Sequence, residues 1–180
     1  VDIYDLTRAV RDGATVPVSF EPRLVQVRLA KDVSPEDLDA AADEETKGLD
    51  EVERERVERS VAVINAIYGA PERVAALAAD IVGHWETRRA NMRQFIECNG
   101  KAMIVCSTRE ICARLYDDIV KLRPQWHSDD LAKGVIKVVY SGSASDPKPI
   151  RNHVRRDSEN KVIKQRLREA DDELEMVIVK

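Results

Sequence analysis

The chain has 180 residues, and its 29 lysines and arginines against 33 aspartates and glutamates give a formal net charge of −4. This length fits one domain or one domain with an appendage, and nucleic-acid binding would need a local basic patch. No apolar run approaches the ~18 residues of a membrane span, and no secretory signal is visible. The cysteines form no CxxC pair, which argues against a disulfide framework or thiolate zinc site and favours a reducing, cytoplasmic setting.

The first part of the chain reads as a connector. Apolar residues at helical spacing predict a helix over residues 1–13, which stops at Gly13. Alternating apolar residues at 15–20 and 24–29 predict two short strands around a turn. We therefore expect residues 1–30 to form a connector with two short strands.

Residues 31–99 are predicted to be a helical insertion or linker. The segment 32–60 is dense in charge of both signs, which is typical of a solvated helix with ion pairs along its surface. A second, more apolar helix should begin at Pro71, continue past Phe95 and end at Asn99-Gly100. Its inward face is predicted to contain Val74, Leu77, Ala78, Ile81, Val82 and Trp85.

Residues 100–180 alternate between strands and helices. Strands are predicted at 102–106, 135–140 and 174–179, with helices at 107–122 and 150–169. This order predicts an α/β fold with a parallel sheet, and the continuous apolar run at 102–106 indicates a strand covered on both faces. Because the sequence starts at Val1 and stops within an apolar strand, we expect it to be a piece of a longer protein.

Motifs for complete catalytic sites are not found in the sequence. Gly100-Lys101 lacks the upstream glycine of a phosphate-binding loop and precedes a strand instead of a helix. The segment Asp43-Glu-Glu-Thr46 is predicted to lie in a polar helix and not at a strand end, so we do not interpret it as a magnesium-binding box. The three histidines are well separated and are interpreted as surface or packing residues.

Polar residues follow two of the predicted strands. Ser107, Thr108 and Arg109 come after the first, and a loop beginning Ser141-Gly142-Ser143 comes after the second. Because ligands gather at the carboxyl ends of parallel strands, these residues are candidates for binding anionic groups. Simple helix capping and an ordinary turn are the alternatives. Eight lysines and arginines between residues 148 and 168 could also follow a nucleic-acid backbone or form a solvated helix.

Four segments in this order resemble the motor (R) subunit of type I restriction-modification enzymes. They are IYDLTRAVRDGATVPV (3–18), GKAMIVCSTREIC (100–112), IVKLRPQW (119–126) and IKVVYSGSASDP (136–147). The resemblance implies a superfamily 2 helicase-like DNA translocase with two RecA-like lobes, which hydrolyses ATP with magnesium. Residues 100–180 would be the N-terminal part of the second lobe. The residues that the resemblance implies in DNA binding are Ser107, Thr108, Arg109, Ser141, Gly142 and Ser143.

The family's nuclease and ATP-binding motifs have no counterpart in this segment. The resemblance therefore implies part of an ATP-dependent type I site-specific deoxyribonuclease, whereas the segment alone should neither bind ATP and magnesium nor cut DNA. Expected partners are double-stranded DNA and the methyltransferase and specificity subunits, with no membrane. The alternatives are the second lobe of another superfamily 2 motor, or a non-enzymatic α/β binding domain.

Overall fold

The fold is built around a small parallel sheet. A computed structural model describes residues 5–17, 19–22, 69–142 and 146–180. The strands are β1 (Ala102–Val105), β2 (Ile136–Val139) and β3 (Met176–Val179), in the spatial order β1-β3-β2. Ala102 of β1 and Ile136 of β2 both pair with Met176 of β3, and both pairings are parallel. The predicted α/β class is confirmed.

Helices alternate with these strands along the chain. They are α1 (Leu6–Arg11), α2 (Pro71–Met92), α3 (Arg109–Leu122), α4 (Lys148–Arg151) and α5 (Asp157–Arg168). A 3-10 turn (Pro124–Trp126) follows α3 after one residue, and Pro124, which has no N–H, cannot continue the α-helical hydrogen bonding. A mixed α/β architecture with a long helix before the sheet is compatible with part of a RecA-like lobe.

Helix α2 packs its apolar face into the same core as α3 and the sheet. The fully covered residues of that face are Val74, Ala78, Val82 and Trp85. The helix starts at Pro71 as predicted, but it ends at Met92, before the predicted stop at Asn99-Gly100. Phe95 lies beyond this end with 85% of its surface exposed. The predicted domain boundary at residue 100 stays a prediction. Helix α2 precedes this boundary in the sequence, yet it packs in the same core as the sheet.

Helix α3 connects β1 to the segment before β2. Ile111, Leu115 and Ile119 are buried as their spacing predicts. Leu122, which the same pattern places inward, is 42% exposed at the last turn of the helix. The inward stripe of α3 therefore ends at Ile119.

The two faces of the sheet carry different layers. Met176 and Ile178 of β3 belong to the core shared with α2 and α3, whereas Val177 packs in a smaller cluster with Ile163 of α5. This division follows from the alternation of side chains along a strand. The prediction that β1 is covered on both faces is wrong within the described residues, because α5 packs on β2 and β3 and leaves Met103 and Val105 of β1 61% and 73% exposed.

Two other predicted elements differ from the structure. The predicted basic helix 150–169 is interrupted between α4 and α5, where the backbone N–H of Arg156 donates to Glu159 Oε2 at 2.8 Å and starts the second helix. At residues 15–17 and 19–20 no strand is formed, and Val16 and Phe20 are exposed, so no sheet partner covers their side chains. The predicted strand at 24–29 and the charged segment 32–60 lie outside the described residues.

A buried carboxylate ties α2 to the amino end of β3. Glu175 is 2% exposed, and its oxygens accept hydrogen bonds from Trp85 Nε1 at 2.8 Å and Asn99 Nδ2 at 2.7 Å. Arg89 Nη1 adds an ion pair at 3.2 Å. These partners offset the cost of burying the charge, and they fix the helix against the sheet.

Candidate nucleic-acid interface

The two predicted loops meet at the carboxyl edge of the sheet. Arg109 starts α3 after β1, and its Nη1 donates to the backbone oxygen of Ser141, which follows β2, at 3.1 Å. The side chains of Ser107 and Ser141 are exposed at this edge. The predicted site residues after β1 and β2 are therefore neighbours, although β3 lies between those strands. Ser143 lies outside the described residues.

Thr108 has a structural role at the start of α3. It is 6% exposed, and its Oγ1 accepts a hydrogen bond from the backbone N–H of Ile111 at 3.3 Å. This is the N-cap arrangement, which satisfies one of the unpaired amides in the first turn of a helix. Thr108 thus orients the loop that presents Ser107, and its hydroxyl is engaged within the protein.

Arg109 is paired with a carboxylate that the sequence did not indicate. Its Nη1 lies 2.8 Å from Asp146 Oδ2, and the Asp146 side chain is 6% exposed. Arg151 holds the same residue through the Asp146 backbone oxygen, with Nη2 at 2.7 Å. Arg109 therefore links α3, the backbone after β2 and the residue before α4. An acidic residue 37 positions away has no local sequence pattern that would reveal this pairing.

Gly142 permits close packing of the loop after β2. A Cβ atom at this position would collide with the side chain of Val154. The glycine is thus required by the approach of the segment between α4 and α5. Its absent side chain also leaves the backbone after Ser141 accessible at the exposed edge.

The basic stretch divides into internal and exposed residues. Arg166 is 6% exposed, pairs with Asp172 at 2.8 Å and donates to the backbone oxygen of Leu131 at 2.9 Å. Arg155 donates to the backbone oxygen of Val138 at 2.7 Å. These two arginines hold loops and strands together. The exposed members of the stretch are Lys148, Arg151, Arg156, Lys161, Lys164 and Arg168.

A polar cluster with a cavity of about 460 Å³ lies beside α3. Tyr116 Oη is 2.6 Å from His127 Nδ1, and the ring of His153 packs edge-on against Tyr116 with centroids 4.6 Å apart. Burial lowers the pKa of His153 to about 4, and the charges of Arg155 and His127 act in the same direction. His153 is therefore a neutral packing residue at pH 7.

Lys101 does not have the setting of a nucleotide-binding lysine. Its Nζ donates to the backbone oxygens of Asp172 at 2.8 Å and Leu174 at 2.7 Å, which ties the start of β1 to the segment before β3. Within the described residues, no group of three or more histidine, cysteine or acidic side chains could hold a metal ion. In the same part of the chain, no helix has the length and apolar character needed to cross a bilayer.

Comparison with known proteins extends over the whole chain. It is 38% identical over 180 residues to the type I restriction enzyme HindI endonuclease subunit of Haemophilus influenzae. The curated relatives of this chain are endonuclease (R) subunits of type I restriction enzymes. A second relative, 26% identical over 180 residues, is assigned as the MjaIXP endonuclease subunit of Methanocaldococcus jannaschii.

The similarity covers a limited part of each relative. The alignments include 100% and 99% of this chain but 16% of each of the two R subunits. No family model matches the chain, and no solved structure matches it. The resemblance stated from the four sequence segments is confirmed by these two relatives.

Proposed function

We infer that this chain contributes part of a DNA-translocating motor lobe to an R subunit of a type I restriction enzyme, where its strand-end loops contact the DNA backbone. The observation that carries this proposal is the contact between Arg109 Nη1 and the backbone oxygen of Ser141 at 3.1 Å, which joins the two predicted loops at one exposed edge. The similarity to R subunits along the whole chain supports the same function.

Ser107 and Ser141 are the residues to which we assign direct phosphate contacts. Both are exposed, and serine hydroxyls donate hydrogen bonds to phosphate oxygens without reading the base sequence. Contacts of this kind suit a motor that must move along any DNA. Ser143 is proposed to contribute a third hydroxyl from the same loop.

The other predicted residues would shape this surface. Arg109 is 30% exposed, and its positive charge is partly neutralised by Asp146. We therefore propose that Arg109 mainly holds the two loops together and contributes only in part to anion binding. Thr108 orients the first loop through its helix cap, and Gly142 allows the second loop to pack closely. Asp146 lowers the net positive charge of the edge, which would keep phosphate binding weak enough for repeated release.

The intact subunit is proposed to use ATP and magnesium held by residues outside this chain. Lys101 is occupied by backbone oxygens, and the chain itself is proposed to bind neither group. Because phosphate contacts carry no sequence information, recognition of the DNA site would belong to a specificity subunit, with a methyltransferase subunit in the same complex. Cleavage of double-stranded DNA would likewise depend on parts of the R subunit outside this segment.

The test is a double variant of the intact R subunit, Ser107→Ala with Ser141→Ala. Each substitution removes an exposed hydroxyl and leaves the half-buried Arg109–Asp146 pair in place. Loss of each hydrogen bond to a charged group costs about 1.5 kcal/mol or more, so losing both should weaken DNA binding by about a hundredfold. DNA-stimulated ATP hydrolysis should fall at subsaturating DNA, whereas ATP binding should be retained.

Thr87→Ala is the matched control. Thr87 is an exposed hydroxyl residue on α2. Its neighbours Trp85 and Arg89 contact Glu175 at the amino end of β3, whereas the proposed DNA contact lies at the carboxyl edge of the sheet. Its removal should leave DNA affinity unchanged. Unchanged DNA affinity in the double variant, or an equal loss in the control, would remove the assignment of the strand-end loops.

A further inference from the structure

The side chains of two cysteines, Cys106 and Cys112, pack in the same core cluster at the carboxyl edge of the sheet, where β1 ends and α3 begins. Cys106 follows β1, and its backbone N–H donates to the backbone oxygen of Val179 at 2.9 Å. Cys112, in the first turns of α3, directs its Sγ to the same oxygen at 3.5 Å. A single carbonyl group therefore lies between two residues that are six positions apart in the sequence.

The two thiols differ in exposure and in proton affinity. Cys112 is fully buried, whereas Cys106 is partly accessible at the edge. When Cys106 is ionised, the Cys112 thiol can turn from the Val179 oxygen and donate to the Cys106 sulfur, which lowers the pKa of Cys106; the same interaction together with burial raises the pKa of Cys112. Because the thiolate is the reactive form, Cys106 is the nucleophile of the pair and Cys112 is placed to react second.

We propose that Cys106 and Cys112 form a reversible disulfide by exchange with a small-molecule disulfide such as glutathione disulfide. The Cys106 thiolate attacks one sulfur of the small disulfide, whose S–S bond breaks and releases one thiolate. The resulting mixed disulfide is then attacked by the Cys112 thiolate at the Cys106 sulfur, which releases the second thiolate. The protons of the two protein thiols pass through water to the two released thiolates. The protein pair is thereby oxidised, and the small disulfide is reduced to two thiols.

The first step removes two of the causes that keep the Cys112 thiol protonated. The hydrogen bond with Cys106 and the negative charge on Cys106 are two of the causes that raise the pKa of Cys112, and burial is the other large one. A Cys106 sulfur held in a mixed disulfide carries no charge, so the Cys112 proton leaves more readily. The buried thiol thus becomes reactive after its neighbour has been modified, and in a reducing compartment the bond would be transient.

The disulfide would close a short loop that contains Ser107, Thr108 and Arg109. Oxidation would therefore restrain the same segment that the proposed DNA contact uses. Disulfide formation involves only the two thiols beside the Val179 backbone oxygen and the small-molecule disulfide, so it can be tested without DNA. Failure of the disulfide to form would not affect the proposed DNA contact, and failure of the DNA contact would not affect the disulfide chemistry.

Peptide mapping after oxidation tests the proposal, because trypsin places each cysteine in a separate peptide: 94–101 for Cys98, 102–109 for Cys106 and 110–114 for Cys112. The native chain is incubated with glutathione disulfide, alkylated and digested. We expect peptides 102–109 and 110–114 to appear joined, with the loss of two hydrogen masses, and to separate after reduction. Cys98→Ser is the control and should retain the linked pair.

Two variants separate the steps. Cys112→Ala should stop the reaction with glutathione attached to Cys106, because the second thiol is missing. Cys106→Ser should leave Cys112 unmodified in the folded chain, since the buried thiol is not reached directly. If the native chain gives peptides 102–109 and 110–114 unlinked, whether as thiols or as separate glutathione adducts, the proposal is overturned.

Discussion

His153 should make the folded chain lose stability in mild acid. Burial among Tyr116, Tyr140 and Arg155 lowers its pKa from the ordinary 6.5 to about 4, so the folded state binds the proton more weakly than the unfolded state does. The unfolded state therefore takes up more protons as the pH falls, and its free energy drops relative to the folded state. Stability is retained above pH 6.5 and is lost between pH 6.5 and 4.

The size of the loss follows from this shift. One pKa unit corresponds to about 1.4 kcal/mol, so the full shift is equivalent to about 3 kcal/mol of unfolding free energy. At pH 5 the imidazole of the unfolded chain is almost fully protonated, and about 2 kcal/mol should already be lost. His153→Phe keeps an aromatic ring against Tyr116 and removes the titrating group.

Urea unfolding at pH 7.5 and pH 5.0 measures the effect. The native chain should lose about 2 kcal/mol more between these two conditions than His153→Phe does. The comparison uses the difference between two pH values, so any packing defect of the phenylalanine cancels. His84→Phe is the control, and it should keep the loss of the native chain because His153 is still present. Equal losses in the native chain and in His153→Phe would refute the buried, neutral state of His153.

Three further substitutions test the packing around the sheet and within α2. Glu175→Ala should lower the free energy of unfolding by about 3 kcal/mol, because it leaves Arg89 and Trp85 without their buried acceptor, and thermal unfolding measures this loss. Gly142→Ala should cost about 1–3 kcal/mol through collision with Val154. Gly83→Ala, where a Cβ meets nothing within 4 Å inside α2, should instead raise stability by about 0.5–1 kcal/mol. Equal effects of the two glycine substitutions in urea unfolding would contradict the close packing at Gly142.

The sheet and its main helices were predictable because their signals are local. The strands β1, β2 and β3 come from short, mostly apolar runs, and α2 starts at the proline that suits a first helical turn. The exposure of Met103 was not predictable in this way. An apolar run shows that a strand has apolar side chains, whereas coverage of each face depends on where distant helices pack.

The placement of Ser107 and Ser141 at one edge of the sheet was predictable from the sequence, but the electrostatics around Arg109 were not. The carboxyl ends of parallel strands share an edge, so Ser107 and Ser141 could be assigned to one surface from the sequence. The pairing of Arg109 with Asp146 depends on the path of the chain between β2 and α4. Arg166, similarly, was counted with an exposed basic stretch, although it binds backbone oxygens inside the fold. Such long-range polar contacts have no periodic pattern along the sequence.

The most direct test of the proposed DNA contact is the accessibility of position 141 in the intact R subunit. Ser141→Cys and the control Thr87→Cys are alkylated with a maleimide in the presence and absence of saturating duplex DNA, and peptide mapping gives the rate at each introduced cysteine. We predict that DNA slows alkylation at position 141, that salt removes this protection as it weakens phosphate binding, and that position 87 is unaffected. Alkylation at position 141 at the same rate with and without bound DNA would contradict the account.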